Sequence, residues 1–577
     1  MKIDSRMPGR IAVVVILMGL VMLSLGIRIP YFEVFGNTDE AWYAAAAVYN
    51  NAHDLSPFGS DNNAMAYTIQ LYQYSALIGG NYSKSFVDFV TLIISIIITS
   101  GIFLMINGRI GIFAALIASV LFIFVNTGFE GLTSNREWLS VIFIFIAVLL
   151  LKTWPFLTYR EFKHRVIYCG FLVAFAFVMK SQSIPFLALV PALAFLWMVK
   201  CKMKKSDTFR ILLWYMLALL LGFCLALTPY FLNGSVEFYI AHIFGQLFNY
   251  GIKNTIQDGG NWVSGVKMLI GYSWINTNPT SIFTGLASIS CVYQLITLHR
   301  GLKSHSSNED IGPASTITVS FILSMVCVIG GSRYVDHYYL LMLPFGIPLT
   351  IITIESLASE REGTAFLFKM FILVTIAIHA LWSAMRGVDN QFISFIALLI
   401  SVVITSVAYY NRDKSLNGWL FHSFCLMYCM VFGTLLLHEY HEFNPSKSTV
   451  QAEMQNVVAT ISGQSRPTDE LFVWGWKPRL YVATGLIPAT QYVSVAELVQ
   501  DLNKSSKAEG KSAAMHQLIS QLKLNQPKFL IDASRQSYTH STKEIYSLSN
   551  YTQVHSFIMA NYVLEGEYDD FFLYVHH

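Results

Sequence analysis

Two adjacent acidic residues, Asp39 and Glu40, form the part of this sequence best suited to acid–base chemistry. They lie in Gly36-Asn-Thr-Asp-Glu-Ala-Trp-Tyr-Ala, shortly after the first apolar stretch. Asn37 or Thr38 can cap a short helix there, and the helix dipole stabilises carboxylates in its first turn. One acid can take a proton from an acceptor hydroxyl while its neighbour orients the acceptor or a leaving phosphate. The alternative is that the pair simply begins a solvated helix at a membrane surface.

Two more charged positions stand at the ends of apolar stretches. Glu137 lies in Thr133-Ser-Asn-Arg-Glu-Trp-Leu, and Lys180 lies in Met179-Lys-Ser-Gln-Ser-Ile-Pro. A lysine on the outer side of a membrane runs against the positive-inside bias, and an anionic lipid phosphate would explain it. The alternatives are an ion pair of Arg136 with Glu137 at the membrane rim, and ordinary snorkelling of Lys180 to headgroups.

A third polar group follows another apolar stretch, in Gly331-Ser-Arg-Tyr-Val-Asp-His-Tyr-Tyr-Leu. Arg333 and His337 could bind a phosphate, and Tyr338 could stack on a sugar. The alternative is a belt of aromatic residues at the membrane interface. We see no Gly-rich phosphate loop, no Ser-His-Asp order and no Cys/His spacing typical of a metal site.

The composition indicates that these residues are positioned by membrane-spanning helices. The chain is 54% hydrophobic and 13% charged, whereas soluble domains carry roughly 25% charged residues. Apolar runs close to the roughly 20 residues that cross a bilayer recur from Ile11 to about Leu437. They predict thirteen helices, near 11–28, 86–106, 112–126, 139–153, 166–180, 184–199, 211–232, 281–299, 312–330, 338–354, 367–384, 391–409 and 418–437. A net charge of only +3 argues against nucleic acid as a partner.

The distribution of Lys and Arg predicts the orientation, because they are concentrated in the loops on the N-terminal side. The N-terminus is therefore expected in the cytoplasm, and thirteen crossings place the region after Leu437 outside. We predict a transmembrane domain over 1–437, with long outer loops at 29–85 and 233–280, and a soluble exterior domain over 438–577.

The exterior domain is predicted to be a small α/β fold. The segments 471–476 and 528–533 have the pattern of buried strands, 513–524 that of an amphipathic helix, and 569–575 that of an edge strand. Trp474, Trp476 and Tyr481 could bind a glycan, but we interpret them as core residues.

The Asp-Glu-x-x-Tyr pattern of Asp39, Glu40 and Tyr43, in a first outer loop followed by many spans, resembles the GT-C glycosyltransferases. The similar branch contains the protein O-mannosyltransferases and the lipid A aminoarabinose transferases. The resemblance implies that Asp39 is the catalytic base and that Glu40 and Tyr43 act in the same motif. Trp42 stands where the aminoarabinose transferases have Arg. This chain therefore differs from them in the contacts that the Arg side chain makes.

The resemblance also extends to the other polar groups. Glu137 matches the second acidic position of the outer loops, Lys180 matches a lysine near the carrier phosphate, and the segment with Arg333 and His337 resembles a junction in bacterial members. It implies an inverting sugar transfer from a polyprenyl-phosphate donor to an envelope glycan such as lipopolysaccharide, a lipid or a protein. No metal is required by this scheme, although a divalent cation is possible. A bacterial inner membrane is the expected location.

Two other classes of function remain open from the residues alone. A transporter or flippase for a lipid-linked glycan could use the same charged groups to guide a headgroup. Transporters place ionisable sites near mid-membrane and often show repeated halves, whereas the notable charges here lie at the rim and no repeat is visible. A non-catalytic scaffold whose exterior domain binds partners is the third class.

Overall fold

The structure, a computed structural model, is a bundle of mainly apolar helices followed by a small β-sheet. It describes residues 7–35, 38–59, 65–127, 134, 136–152, 159–200, 204–237, 239–241, 280–303, 312–330, 340–359, 449–494, 498, 508–536 and 547–577. The last three predicted spans, at 367–384, 391–409 and 418–437, lie outside these residues, as does most of the predicted outer loop 233–280.

The first ten predicted spans each coincide with a helix. The helices up to residue 359 are α1 (Met7–Arg28), α2 (Thr38–Ala52), α3 (Ala66–Gly79), α4 (Ser85–Asn107), α5 (Ile112–Thr127), α6 (Glu137–Leu151), α7 (Tyr159–Met179), α8 (Leu189–Lys200), α9 (Lys205–Leu232), α10 (Thr280–Lys303), α11 (Gly312–Gly330) and α12 (Leu343–Ser359). A 3-10 helix, Ser181–Ala188, precedes α8 and contains Pro185.

Five of the described segments are long and apolar enough to cross a bilayer: Ile11–Tyr31, Ser85–Asn107, Tyr159–Met179, Ser181–Val199 and Lys205–Leu232. Four shorter apolar helices accompany them: Ile112–Asn126, Glu137–Leu151, Ala314–Ile329 and Leu343–Leu357. In a bilayer, helices of this kind satisfy their own backbone polar groups and need only side-chain packing to associate.

Close packing of α7 against α9 illustrates how the bundle is held together. A Cβ on Gly170 would lie 2.7 Å from the Cβ of Ala218, and one on Gly222 would lie 2.8 Å from the Cβ of Ala174. Small residues at both crossing points therefore allow the two backbones to approach, as is typical of helices in membranes. The opposite side of α9 presents exposed leucines to its surroundings: Leu213, Leu217, Leu220, Leu221 and Leu225.

The predicted outer loop 29–85 is largely helical, because α2 and α3 lie between α1 and α4. Helix α2 is rich in alanine, the residue with the highest helix propensity, and its residues 40–50 are all buried. Helix α3 packs along it. This pair carries the predicted catalytic motif at the first turn of α2.

The C-terminal residues 449–577, hereafter the tail, form a five-stranded sheet with flanking helices. Its elements are α13 (Thr449–Gln464), β1 (Glu470–Trp474), α14 (Arg479–Thr484), β2 (Ile487–Pro488), α15 (Ala508–Asn525), β3 (Phe529–Asp532), α16 (Thr552–Asn561), β4 (Tyr562–Tyr568) and β5 (Phe571–His576). The strand order is β2-β1-β3-β5-β4, with β1, β2 and β3 parallel and β5 antiparallel to both neighbours.

The prediction that 569–575 forms an edge strand is wrong. Strand β5 lies between β3 and β4, and β4 is the edge. The two-residue turn Asp569-Asp570 has positive φ at both positions, 48° and 70°, which is the backbone geometry that closes a tight hairpin. The hairpin adds β4 outside β5. Most side chains of β4 are exposed, so the sequence lacks the apolar pattern of a buried strand there.

The two faces of the sheet alternate along each strand, as side chains in β-strands do. One face contributes Leu471, Val473, Phe529, Ile531, Phe571 and Leu573 to one apolar cluster. The other face contributes Phe472, Trp474, Leu530 and Tyr574 to a second cluster. Trp474 and Tyr481 are fully buried, so their interpretation as core residues is confirmed, while Trp476 is half-buried.

Candidate functional site

Asp39 and Glu40 occupy the first turn of α2 but differ sharply in environment. Asp39 is half-buried, and its carboxylate has no hydrogen bond or ion pair to any residue in the described part of the chain. Glu40 has no exposed surface and lies inside the protein. Consecutive helical residues point about 100° apart, so the two carboxylates point in different directions and that of Glu40 enters the core. Within the described structure, Glu40 is therefore bound by partners and the Asp39 side chain is not.

Glu40 is held by a buried lysine that sequence analysis missed. Lys84 Nζ lies 3.0 Å from Glu40 Oε1 and 2.8 Å from Asp88 Oδ1, and it donates a third hydrogen bond to the carbonyl of Val34 at 2.8 Å. An ammonium has three N–H donors, so all three have an acceptor. Lys84 is fully buried, and the pair of carboxylates around it explains how a charge is tolerated there.

Ser134 joins this charge cluster to the loop before α6. Its backbone N–H donates to Glu40 Oε1 at 2.6 Å, and its hydroxyl donates to Asp88 Oδ1 at 2.6 Å. Ser134 belongs to the segment in which Glu137 was identified, so the first two polar groups of the sequence meet in the fold. We refer to Glu40, Lys84, Asp88 and Ser134 as the buried polar cluster.

Glu33 fixes the chain on the other side of Lys84. Its carboxylate accepts hydrogen bonds from the Ser83 hydroxyl at 2.8 Å, the Lys84 backbone N–H at 2.8 Å and the Ser85 N–H at 3.0 Å. Partial burial tends to raise the pKa of Glu33, but the hydrogen bonds from Ser85 and its neighbours outweigh it and hold the pKa below 4.5. Glu33 thereby caps the start of α4 with a negative charge, where the helix dipole favours one.

The protonation state of Lys84 follows from its surroundings. Burial alone lowers the pKa of a lysine, but the charges of Glu40 and Asp88 and their hydrogen bonds outweigh this, and the pKa of Lys84 is raised above its usual 10.5. Lys84 is therefore a cation at every physiological pH. The buried polar cluster then contains two carboxylates and one ammonium.

Glu137 and Lys180 form a second buried ion pair. The Lys180 ammonium contacts Glu137 Oε1, and both side chains are almost completely buried. At Trp138, the next residue along α6, the guanidinium of Arg28 lies 4.8 Å from the ring centre, a distance typical of a cation–π contact. Residues of three sequence segments singled out above thus enter two buried groups: Ser134 contacts Glu40, and Glu137, three residues further along the chain, pairs with Lys180.

Tyrosines line the interior next to the acids. Tyr43, the third residue of the motif, is buried with its ring 5.9 Å from that of Tyr72 and 5.3 Å from that of Trp42. Burial raises the pKa of Tyr72 well above 10, and the charges of Glu40, Asp88 and Asp39 raise it further. The Tyr72 phenol therefore stays protonated beside all three carboxylates, and its hydroxyl has no partner among the described residues.

Arg333, His337 and Tyr338 lie outside the described residues, so their predicted role stays a prediction. Within the described ranges there is no group of three or more His, Cys, Asp or Glu side chains arranged to hold a metal ion. Lys84 and Asp88 were missed, although a signal was present. They lie four residues apart at the start of an apolar helix, where ionisable residues tend to be paired and functional.

Comparison with known proteins identifies the fold. No protein-family model matches the chain, and no curated protein matches its sequence. The structure of ArnT, the lipid A aminoarabinose transferase, from Cupriavidus metallidurans bound to undecaprenyl phosphate is similar, with a TM-score of 0.54 at 12% identity, covering 99% of this chain and 98% of that chain. The apo state of the same protein gives a TM-score of 0.55 at 12% identity and equal coverage.

A further similar structure is the archaeal oligosaccharyltransferase AglB from Archaeoglobus fulgidus, in complex with an inhibitory peptide and a dolichol-phosphate. Its TM-score is 0.45 at 10% identity, over 93% of this chain and 71% of that chain. The near-complete coverage against ArnT includes both the helical bundle and the tail. The expected GT-C-like fold is therefore confirmed: the chain shares the fold of ArnT, and its described residues include five helices long and apolar enough to cross a membrane, as expected of a multi-pass membrane protein.

Proposed function

We propose that the protein transfers a sugar from a polyprenyl-phosphate donor, of the undecaprenyl-phosphate type, to an envelope glycan, a lipid or a protein. The observation that carries the proposal is the contrast between Asp39 and Glu40. The carboxylate of Asp39 is half-exposed and has no partner among the described residues, while that of Glu40 is anchored on Lys84. A similar fold, that of ArnT, has been captured with undecaprenyl phosphate, which supports the class of donor.

In the proposed reaction, Asp39 is the general base. It removes the proton of the acceptor hydroxyl as the oxygen attacks the anomeric carbon of the donor sugar. The bond between that carbon and the phosphate oxygen breaks, and the phosphate leaves with the electron pair, so configuration at the anomeric carbon inverts. A phosphate that leaves as an anion needs no protonating acid where cations stabilise it.

The remaining residues have supporting roles in this proposal. Glu40 fixes the first turn of α2 through its ion pair with Lys84 and so orients Asp39. Tyr43 packs that turn against α3. Glu137 and Lys180 shape the adjoining wall as a pair, and Lys180 can exchange its partner for the carrier phosphate. Arg333, His337 and Tyr338 are proposed to bind the donor.

The topology completes the proposal. With thirteen spans and a cytoplasmic N-terminus, α2, α3 and the tail would lie on the exterior face of a bacterial inner membrane. The transmembrane domain would then extend over 1–437 and the exterior domain over 438–577. The buried polar cluster lies at the start of α4, at the end of a span rather than at its middle. This position favours an enzyme acting at the membrane surface over a transporter or flippase, which needs ionisable groups near mid-membrane.

The test is Asp39→Asn compared with Asp54→Asn in the purified protein. Asp54 lies just beyond the other end of α2, is exposed and has φ 53°, a conformation that Asn also adopts readily. The measurement is loss of sugar from a panel of radiolabelled polyprenyl-phosphate sugars with crude envelope glycans as acceptors.

We expect activity in the wild type and in Asp54→Asn, and a loss of about 10²-fold or more in Asp39→Asn, the range for general base catalysis. Retained turnover in Asp39→Asn would exclude Asp39 as the base, and carrier binding without cleavage by the wild type would favour the transporter.

A further inference from the structure

The tail covers one face of its sheet with its own helices. Phe472 and Leu530 on that face pack in a cluster with Leu518 of α15 and with Val554 and Ile558 of α16. This is the arrangement expected of an α/β unit, in which helices bury the apolar face of a sheet. The tail needs no contribution from the bundle on this side.

The opposite face is covered differently. Two helices of the tail contribute, α13 with Met454, Val457 and Ile461, and α14 with Leu480 and Tyr481. The same apolar cluster continues without interruption into the segment from Trp42 to Tyr49, which is the body of α2. Helix α2 contacts both α14 and β2 directly. A helix from the outer loop 29–85 therefore serves as part of the helical layer on this face of the sheet.

Helix α2 is buried by neighbours on more than one side. Its residues 40–50 are all buried, although a helix at a protein surface leaves one side exposed. Helix α3 covers one side and the tail covers another. Ala41 and the four alanines 44–47 give α2 a narrow surface, which permits close approach of backbones on several sides at once.

A buried hydrogen bond joins the tail to the same region. The hydroxyl of Tyr82, in the connection between α3 and α4, donates to the backbone carbonyl of Leu486 immediately before β2. The ring of Tyr82 belongs to the apolar cluster shared by α2 and the sheet. Tyr82 is two residues from Lys84, the cation that holds Glu40. The tail is therefore connected to the buried polar cluster both through α2 and through the chain leading into α4.

We propose that the tail positions the catalytic base: α2 is the helix that completes the tail's α/β/α packing, so Asp39 takes its position from the tail as well as from the bundle. The inference rests on the proposed function for the role of Asp39, but the packing claim is independent of it. Leu480, Leu486 and Tyr82 become positioning residues, although none of them belongs to the acidic motif. A displacement of about 1 Å at a catalytic group costs on the order of a hundredfold in rate, so loosening the contact should slow the chemistry.

The first experiment compares Leu480→Ala with Leu518→Ala in the full-length protein. Both leucines are fully buried on helices that flank the sheet, but Leu480 packs on the face that holds α2 and Leu518 packs on the other face. Hydrogen exchange of amides 40–50 and steady-state kinetics are measured below the unfolding temperature of both variants. We expect Leu480→Ala to accelerate that exchange by about tenfold or more and to lower kcat by about tenfold to a hundredfold, with KM for the donor within about twofold. Leu518→Ala should change neither the exchange nor kcat.

A second pair removes only one hydroxyl and so preserves folding. Tyr82→Phe breaks the hydrogen bond to Leu486, and Tyr215→Phe breaks an equivalent bond from a buried tyrosine to the carbonyl of Leu187 within the bundle. We expect a lower kcat and faster hydrogen exchange over residues 40–50 in Tyr82→Phe alone.

The proposal is overturned if the two variants of each pair show the same kcat and the same exchange rates. It is also overturned if kcat is unchanged in Leu480→Ala and Tyr82→Phe. If the wild type transfers no sugar from any donor, the proposed function fails, while the exchange comparison still decides whether the tail holds α2.

Discussion

Replacing Lys84 by methionine should destabilise the protein far more than an ordinary ion pair would suggest. Methionine keeps the length and apolar stem of lysine but removes the ammonium, which leaves the carboxylates of Glu40 and Asp88 buried without their cation. Breaking a buried ion pair by removing one partner costs about 3–5 kcal/mol. Lys84 has no exposed surface, and its distances to the two carboxylates are 3.0 Å and 2.8 Å, so this range applies.

The control is Lys528→Met, because Lys528 forms an ion pair of equal length with Asp469, at 2.8 Å, in a much more exposed place. The side chains of Lys528 and Asp469 are 38% and 17% exposed, and pairs near the surface contribute about 0–1 kcal/mol. The free energy of unfolding in detergent, measured by denaturant titration for both variants, should therefore fall by at least about 2 kcal/mol more in Lys84→Met.

A double mutant tests the cause. In Lys84→Met with Glu40→Gln, one of the two unpaired charges is gone, and the amide oxygen of the introduced glutamine can still accept from the Ser134 N–H. The double mutant should be less destabilised than the sum of the single mutants, since the residues share one network. Strict additivity, or a loss in Lys84→Met no larger than in Lys528→Met, would refute the view that Lys84 holds the cluster together.

Three further predictions concern other parts of the fold. Hydrogen bonds from Ser85 and its neighbours outweigh burial and lower the pKa of Glu33. The ionised Glu33 therefore stabilises the folded protein above pH 4.5, and this stabilisation is lost as the pH falls through the folded pKa. In Glu33→Gln, the unfolding temperature should fall less steeply with decreasing pH than in the wild type. Tyr72→Phe should leave the unfolding temperature unchanged or raise it, since it removes a buried hydroxyl without a partner in the described structure. Gly475→Ala should cost about 1–3 kcal/mol by denaturant titration, and more than Gly485→Ala, because both have positive φ but only a Cβ on Gly475 meets backbone, at 3.1 Å.

The sequence by itself indicated a helical membrane protein and the positions of most of its described helices. Ten predicted apolar segments, from 11–28 to 338–354, coincide with helices, because a bilayer imposes a length and a hydrophobicity that can be read locally. The motif around Asp39 pointed to the GT-C fold for a similar reason, since neighbouring residues in one helical turn carry it. Strands β1 and β3 were also recognisable as short apolar runs.

Only the tertiary structure decided how the surroundings of the two acids differ. Nothing in the dipeptide distinguishes Asp39 from Glu40, and the difference arises because Lys84 and Ser134, 44 and 94 residues beyond Glu40, converge on one carboxylate. The pairing of Glu137 with Lys180 has the same origin. Burial and the choice of partner are set by contacts between residues far apart in the chain, so local patterns cannot supply them.

The same reason explains α2. Its alanine-rich sequence predicts a helix but not its neighbours, and a helix with small residues on every side can pack against lipid, a bundle or a sheet. In the fold, one side of α2 packs against the sheet of the tail, whose residues lie more than 400 positions further along the chain. The hydrogen bond from Tyr82 to Leu486 joins the same two regions. The sequence thus indicated which residues are candidates for the chemistry and which segments form apolar helices. The fold alone decided which of the two carboxylates is buried among partners and which helices and strands pack around α2, because both depend on charge burial and packing that exist only once distant segments meet.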